Sequence, residues 1–328
     1  MHKLKLLVTG GAGYIGSHMV RTLGESGHDI IIYDNLSAGF RDAVLFGKLI
    51  VEDLADRERL DLLFKAERFD AVLHFAAHIV VPESVKEPIR YYRNNFANAL
   101  NLVDACIRHG VKNFIFSSTA AVYGAPAEVP ISERSALEPV NPYGSSKLMV
   151  ERMLQDVSRA ADFKYVALRY FNAAGADQKA RIGERHNPET HLIPLAVQAA
   201  LDRNKEVRIF GIDYPTKDGT CVRDYIHIDD LIDAHVLALD HLLSGGGSRV
   251  FNCGYGHGSS VKEVIDAVRK VTGTDFRVVE AGRREGDPPE LVAHSSLLKK
   301  ELGWTPAHDD LDFIVRTAWE WEKKIKRR

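Results

Sequence analysis

Cysteine is scarce: Cys106, Cys221 and Cys253 are the only three in 328 residues. None forms a CxxC pair or stands at ligand spacing from a histidine. That argues against a disulfide framework and a thiolate metal site, and it suits a reducing compartment. No metal is expected. No stretch reaches the roughly 18 apolar residues that span a bilayer, and the first apolar run stops at a glycine loop, too early for a signal-peptide core. An excess of charge of either sign is also missing, since 43 basic and 45 acidic residues leave a formal net charge of −2. Neither nucleic acid nor a membrane surface is therefore expected as a partner. The basic group Lys323, Lys324, Lys326, Arg327 and Arg328 reads as a helix end, where cations complement the dipole. The expectation is a soluble, cytoplasmic protein.

What is present is an ordinary globular balance, 45% apolar and 27% charged, enough for a large core. Short β-branched runs alternate with longer amphipathic stretches through the first half. Leu4–Thr9, Asp29–Asp34, Phe69–Phe75, Asn113–Ser117 and Tyr165–Arg169 read as buried parallel strands. Tyr14–Glu25, Asp56–Lys65, Ile89–Arg108 and Tyr143–Ala160 read as the helices between them. This repetition predicts an α/β fold with a Rossmann-type doubly wound parallel sheet. Beyond about Asn172 the pattern loosens. Helices are expected at Leu192–Arg203 and Asp229–Leu243, with a strand at Val207–Gly211. The later chain reads as a smaller mixed α/β C-terminal substrate domain. The expected division is 1–171 for dinucleotide binding, completed by about 225–251, with 172–224 and 252–328 for substrate.

Thr9–Gly16 reads TGGAGYIG between a strand and a helix. Gly10, Gly13 and Gly16 supply a tight turn, close approach to a pyrophosphate, and room for helix packing, and the helix N-terminus offers N–H groups to phosphate. Asp34 ends the second strand about 20 residues on, where a carboxylate accepts the ribose hydroxyls. Its charge repels a 2′-phosphate and the next arginine is Arg41, so NAD is expected rather than NADP. Asp53, after the run Lys48–Val51, is a candidate adenine-edge acceptor.

Tyr143 and Lys147 form a Tyr-x-x-x-Lys pair near a helix start, placing both side chains on one face. A neighbouring ammonium favours the phenolate, which would make Tyr143 a general base. Upstream, Phe114–Gly124 (FIFSSTAAVYG) is a strand ending in three hydroxyl residues. Ligands bind at such carboxyl ends in open α/β sheets, and Thr119 is placed to share a hydrogen bond with substrate and tyrosine.

The chain resembles the extended short-chain dehydrogenase/reductase family, and within it the branch of UDP-sugar 4-epimerases. The likeness runs nearly end to end through TGGAGYIGSH, YDNLS, HFAA, NNFAN, FSSTAAVYG, NPYGSSKLMVE, LRYFNAAGA, FGIDYPTKDGTCVRDYIHIDDL, FNCGYG and RREGDPP. It implies Thr119, Tyr143 and Lys147 as the catalytic triad. It implies an NAD site from Gly10, Gly13, Tyr14, Ile15, Gly16, Asp34, Asn35, Ser37, Gly39, Asp53, Leu54, Phe75, Ala76, Ala77, Asn95, Tyr170 and Phe171, joined by the triad. The UDP-sugar would meet Asn172, His191, Leu192, Phe210, Arg223, Arg284, Asp287 and Leu291 as well as Thr119 and Tyr143. Planar guanidinium forks at Arg223 and Arg284 suit a pyrophosphate. The implied reaction is reversible 4-epimerisation of UDP-glucose and UDP-galactose through a 4-keto sugar. A homodimer packing helices 89–108 and 143–160 into a four-helix bundle is implied too.

Local differences refine that expectation. Dehydratases of this family carry an Asp-Glu pair after the catalytic threonine, and its sugar-acid decarboxylases a glutamate at the second position. Here both are alanine, Ala120 and Ala121. Ile79 stands where a lysine often reaches the cofactor, and His191 where an asparagine meets UDP. Leu291 replaces a bulky tyrosine, leading to the expectation that UDP-GlcNAc and UDP-GalNAc fit as well. Two alternatives stay open: an epimerase for uronic or pentose UDP-sugars, and a non-catalytic NAD-binding module.

Overall fold

The computed structural model describes residues 3–284 and 286–327. The chain begins with β1 (Lys5–Thr9), α1 (Tyr14–Glu25), β2 (Asp29–Tyr33), β3 (Lys48–Ile50), α2 (Arg57–Ala66) and β4 (Ala71–His74). Next come α3 (Val81–Lys86), α4 (Pro88–Tyr91), a π-helical turn (Tyr92–Ala97), α5 (Asn98–Arg108), β5 (Asn113–Ser117), α6 (Pro142–Ala160) and β6 (Lys164–Tyr170). β7 (Asn172–Ala174), α7 (Leu192–Leu201), β8 (Glu206–Phe210), β9 (Val222–Arg223), β10 (Tyr225–His227) and α8 (Ile228–Leu243) follow. Last are β11 (Arg249–Cys253), β12 (Ser259–Ser260), α9 (Val261–Thr272), β13 (Arg277–Ala281), β14 (Glu290–Leu291), α10 (Ser296–Leu302) and α11 (Leu311–Lys326).

Seven strands form the main sheet in the order β11-β6-β5-β4-β1-β2-β3. Neighbours from β3 to β6 pair in parallel. The chain builds outward from β1 to β3, then returns to lay β4 on the other side of β1. At that reversal the connecting loops diverge and leave a crevice beyond the strand ends. Continuous apolar runs make this possible: Leu6–Val8, Ile30–Ile32 and Ala71–Leu73 are all buried, as strands covered on both faces must be. Leu7, Ile31, Val72 and Phe114 pack in one core with Leu60 and Phe64 of α2, Leu102 and Cys106 of α5, and Val150 and Leu154 of α6. Cys106, Cys221 and Cys253 are buried and free.

Two compact units divide the chain, Met1–Gly124 with Ala136–Arg169 and Ile232–Phe251, and Ala125–Ser135 with Tyr170–Leu231 and Asn252–Arg328. The second unit holds the parallel pairs β7–β10 and β8–β13 and the small sheet β12-β9-β14. Its helices α7, α9 and α11 pack on one another. A capping box between Ser260 and Glu263 starts α9, satisfying backbone donors that a helix start leaves open.

Most strand and helix bounds lie within two residues of those expected, but 89–108 is not one helix. The π-helical turn interrupts it. Asn95 explains why: its carboxamide accepts the His78 N–H at 2.8 Å, donates to the His78 carbonyl at 3.0 Å, and donates to Ser146 Oγ at 3.2 Å. The wider turn brings a buried asparagine to the loop after β4, and such turns often mark functional sites. Lys323, Lys324 and Lys326 do end a helix, while Arg328 lies outside the described residues. Among those residues no helix is long and apolar enough to cross a membrane.

Candidate active site

The glycine loop is folded so tightly that side chains are excluded from it. Gly10 has φ +72°, and a Cβ there would sit 2.4 Å from the Ala76 nitrogen. One on Gly16 would sit 2.2 Å from the Gly10 carbonyl oxygen. Strands β1 and β4 thus meet backbone to backbone at the sheet's reversal point. Beside them opens a cleft lined by Gly10, Gly13, Asp34, Asn35, Ser37, Gly39, Asp53, Leu54 and Phe75–Ala77. Tyr14, Ile15 and Gly16 form the first turn of α1 above the loop.

Asp34 is buried, and its two oxygens accept the Ala12 and Leu36 N–H groups at 2.9 and 2.8 Å. Burial raises its pKa, and those two hydrogen bonds oppose the rise. Each oxygen keeps acceptor capacity for a hydroxyl. Asp53 accepts Asn35 Nδ2 at 2.6 Å and the Ala55 N–H at 2.8 Å. A loop that only glycine permits, a helix N-terminus and an acceptor carboxylate fit a dinucleotide. The cleft also draws in Tyr33, Ala38, Glu52, His78, Asn94 and Asn98, which were not anticipated. The run of Asn94, Asn95 and Asn98 along one face of an otherwise apolar stretch was the available signal.

Strand β5 delivers the hydroxyl residues. The Thr119 side chain caps the short 3₁₀ turn Ala120–Tyr123 by accepting the Ala121 N–H at 3.1 Å. Asn141 caps α6 by accepting the Gly144 N–H at 2.9 Å, and Pro142 starts the helix. A Cβ on Gly144 would lie 2.4 Å from the Ala121 carbonyl oxygen, so α6 docks directly on that turn. Tyr143 thereby comes close enough to Thr119 for the threonine hydroxyl to act on its phenol. One turn later the buried Lys147 ammonium donates to the Ser117 carbonyl at 2.8 Å and lies 5.0 Å from the Phe116 ring centroid.

The expected depressed phenol is not what this geometry produces in the protein itself. Burial pushes Tyr143 above its ordinary value, and the Thr119 hydroxyl opposes this. Lys147 is perturbed as well: burial pulls its ammonium down to about 7 while Glu151, one turn on, pulls it back up. Glu151 and its partner Arg169 were not anticipated, although Glu151 follows Lys147 at the i,i+4 spacing of facing side chains.

In the second unit, one carboxylate gathers two guanidinium groups. Arg284 Nε donates to Asp287 Oδ2 at 2.8 Å, and Arg223 Nη2 lies 3.8 Å from Asp287 Oδ1. The Arg284 guanidinium stacks 4.8 Å from the Phe210 ring centroid. Leu291 is the register partner of Arg223 across β9 and β14. Asn172 in β7 donates its N–H to the Asp224 carbonyl at 3.0 Å, beside Arg223 in sequence. Tyr170 and Phe171 lead into β7. His191 precedes Leu192, the first residue of α7, and pairs with Glu184. Burial lowers its pKa, but Glu184 and Glu189 more than reverse this and raise it to about 9, with Arg284 opposing them. Phe210, Arg223, Arg284, Asp287 and Leu291 therefore form one cluster, with His191 within its electrostatic reach. Tyr225 was missed; Arg223 and Arg284 both act on its phenol, which burial raises to about 12.

Residues 6–254 match the model of the NAD dependent epimerase/dehydratase family. The chain belongs to that family. A curated UDP-glucose 4-epimerase of Azospirillum brasilense is 53% identical over 324 residues, covering 98% of this chain and 93% of that protein. The crystal structure of UDP-glucose 4-epimerase from Brucella ovis in complex with NAD has a TM-score of 0.94 and 46% identity, covering 97% of this chain and 98% of the other. The UDP-Glc/GlcNAc 4-epimerase of Campylobacter jejuni has a TM-score of 0.86 and 48% identity, covering 98% and 99%. In this member of the epimerase/dehydratase family, Ala120 is buried and Ala121 half-buried in the 3₁₀ turn. Neither can move a proton. Ile79 is exposed.

The Lys147 shift has a consequence for stability. Its folded pKa lies near 7 and its unfolded value near 10.5, so between them the unfolded chain binds more protons and stability rises with pH. From about pH 7 to 9.5 the unfolding free energy of the wild type should therefore rise relative to Lys147→Met, by at most about 1.4 kcal/mol per pH unit. Denaturant unfolding of both proteins across that window checks it.

Proposed function

We propose that this chain interconverts UDP-galactose and UDP-glucose by oxidising and re-reducing carbon 4 of the sugar while NAD stays bound. The observation that carries the reading is the arrangement of buried Thr119 and Lys147 with half-buried Tyr143 near the end of β5, in the same unit as the dinucleotide cleft, with two alanines where elimination chemistry needs an acid and a base. The near full-length likeness to UDP-glucose 4-epimerases supports it.

NAD, when bound, supplies the hydride acceptor and a positive ring. Tyr143 takes the proton of the sugar 4-hydroxyl as that carbon is oxidised, and returns it once the 4-keto sugar has presented its other face. Thr119 holds the oxygen that Tyr143 deprotonates. Lys147, one turn along α6, contributes positive charge in its protonated form. Arg223 and Arg284, preset by Asp287, grip the pyrophosphate, so the nucleotide stays fixed while the sugar turns. Retaining the nucleotide also keeps the ketone from escaping into water.

We further infer a cytoplasmic homodimer. Val85, Ile89, Leu100, Ile107 and Met149 are exposed along α3 to α6, an apolar set that a second copy would cover. The sugar range follows from Leu291. A leucine is smaller than the tyrosine expected there, which supports acceptance of an N-acetyl group, and the C. jejuni neighbour is a UDP-Glc/GlcNAc 4-epimerase.

Two outcomes are expected. Purified protein with no added NAD should convert UDP-galactose to UDP-glucose, and Tyr143→Phe should lose about 10²–10⁴-fold in kcat. Separation of the nucleotides by anion exchange checks both. No conversion even after NAD is supplied would overturn the assignment in favour of another sugar class or a binding role. The wild type should also convert UDP-GalNAc, and Leu291→Tyr should cut that rate by roughly 10-fold or more while UDP-galactose still turns over.

A further inference from the structure

The segment leading into α7 carries four side chains able to bind a metal within positions 184–191: Glu184, His186, Glu189 and His191. One donor atom from each lies within 4.8 Å of all the others. His186 Nδ1 is 3.5 Å from Glu184 Oε1 and 3.4 Å from Glu189 Oε2. His191 Nδ1 is 3.8 Å from Glu189 Oε1 and pairs closely with Glu184 Oε1.

Ion pairing alone leaves this cluster unsatisfied. The Glu189 side chain is only 6% exposed and that of His186 17%, yet Glu189 Oε2 and His186 Nδ1 have no hydrogen-bond partner. Buried polar atoms without a hydrogen bond are unfavourable, and these two meet at 3.4 Å as an ion pair only, without hydrogen-bond alignment. Around a tetrahedral zinc ion with bonds of about 2.0–2.2 Å, neighbouring donors lie about 3.3–3.6 Å apart. The separations at His186 fall in that range.

The surroundings hold the donors in place. The Glu184 carbonyl accepts Trp321 Nε1–H at 2.8 Å, and Gly183 lies against the same indole. Glu189 Oε1 accepts the Thr190 and His191 N–H groups at 2.8 and 2.9 Å, which leaves Oε2 for a ligand. The cluster of His227, Asp229 and His308 makes a useful contrast. There His227 Nδ1 accepts the Asp229 N–H and Nε2 pairs with Thr317 Oγ1, both at 3.1 Å, so both ring nitrogens are already engaged.

We propose that Glu184, His186, Glu189 and His191 form a zinc-type divalent-cation site that fastens the segment entering α7. Two imidazoles and two carboxylates suit a borderline ion such as zinc. Coordination through Nδ1 neutralises the His191 ring and places its proton on Nε2.

The test uses the full-length protein stripped with a chelator and titrated with cobalt(II), followed by its visible ligand-field bands, and separately with zinc followed by metal analysis after desalting. The expected result is one equivalent of ion per chain, with tetrahedral cobalt bands that zinc abolishes. His186→Ala and Glu189→Gln should each weaken binding by more than about 100-fold, beyond the loss typical of an outer-shell partner. Circular dichroism of the chelated proteins reports whether each variant is folded, and either one alone suffices. Absence of stoichiometric cobalt binding by the wild type, or undiminished binding in a folded variant, overturns the site. Cobalt binding is read without any sugar turnover, so its failure is distinct from failure of the epimerase assignment.

Discussion

A lysine held inside the protein at the end of β5, where its charged form is costly, organises the active site. Lys147 is buried, and its ammonium finds one backbone carbonyl, that of Ser117. A lone buried cation is expensive, and the fold offsets it with Glu151 on the next turn of α6. Glu151 is in turn engaged by Ser118 and by the Nε and Nη2 groups of Arg169. Arg169 also donates to the Tyr123 hydroxyl at 2.9 Å. The end of β5, the 3₁₀ turn after it, β6 and α6 are therefore tied together by one polar network. Thr119 and Tyr143 sit on the elements so joined, which leaves them little freedom to drift apart.

Around that network the chemistry divides by element. The reversal between β1 and β4 creates the dinucleotide cleft, and backbone contact between Gly10 and Ala76 sets how closely its walls approach. Asn95, fastened to both His78 and Ser146, joins the rim of that cleft to the helix carrying Tyr143 and Lys147. In the second unit Asp287 holds Arg223 and Arg284 near one another before any anion arrives. Preset cations lose less freedom on binding than free ones would. On the proposed mechanism, tight hold on the nucleotide with a loose hold on the sugar is what permits both faces of carbon 4 to be presented.

Much of this was legible in the chain because the decisive features are local. β1, α1 and β5 follow from apolar runs, a glycine loop and hydroxyl residues in unbroken sequence. The parallel sheet follows from their alternation. What was not legible depends on contacts between distant positions. The π-helical turn exists because Asn95 must reach His78 and Ser146, and no periodicity in 89–108 announces it. The raised Tyr143 pKa reflects burial, which residue spacing cannot reveal. The short strands β9, β12 and β14 carry too few residues for a pattern, yet their pairing places Leu291 next to Arg223. Glu184 and His186 lie between β7 and α7, where the sequence shows no periodic pattern to single them out.

On the proposed mechanism, hydrogen leaves and returns to the same sugar carbon without meeting solvent. Turnover of UDP-galactose carrying deuterium at carbon 4 tests it most directly, with the product examined by mass spectrometry and NMR. The UDP-glucose formed should retain the deuterium at carbon 4 with none lost to water. Washout of the label into solvent, or its appearance at another carbon, would contradict it.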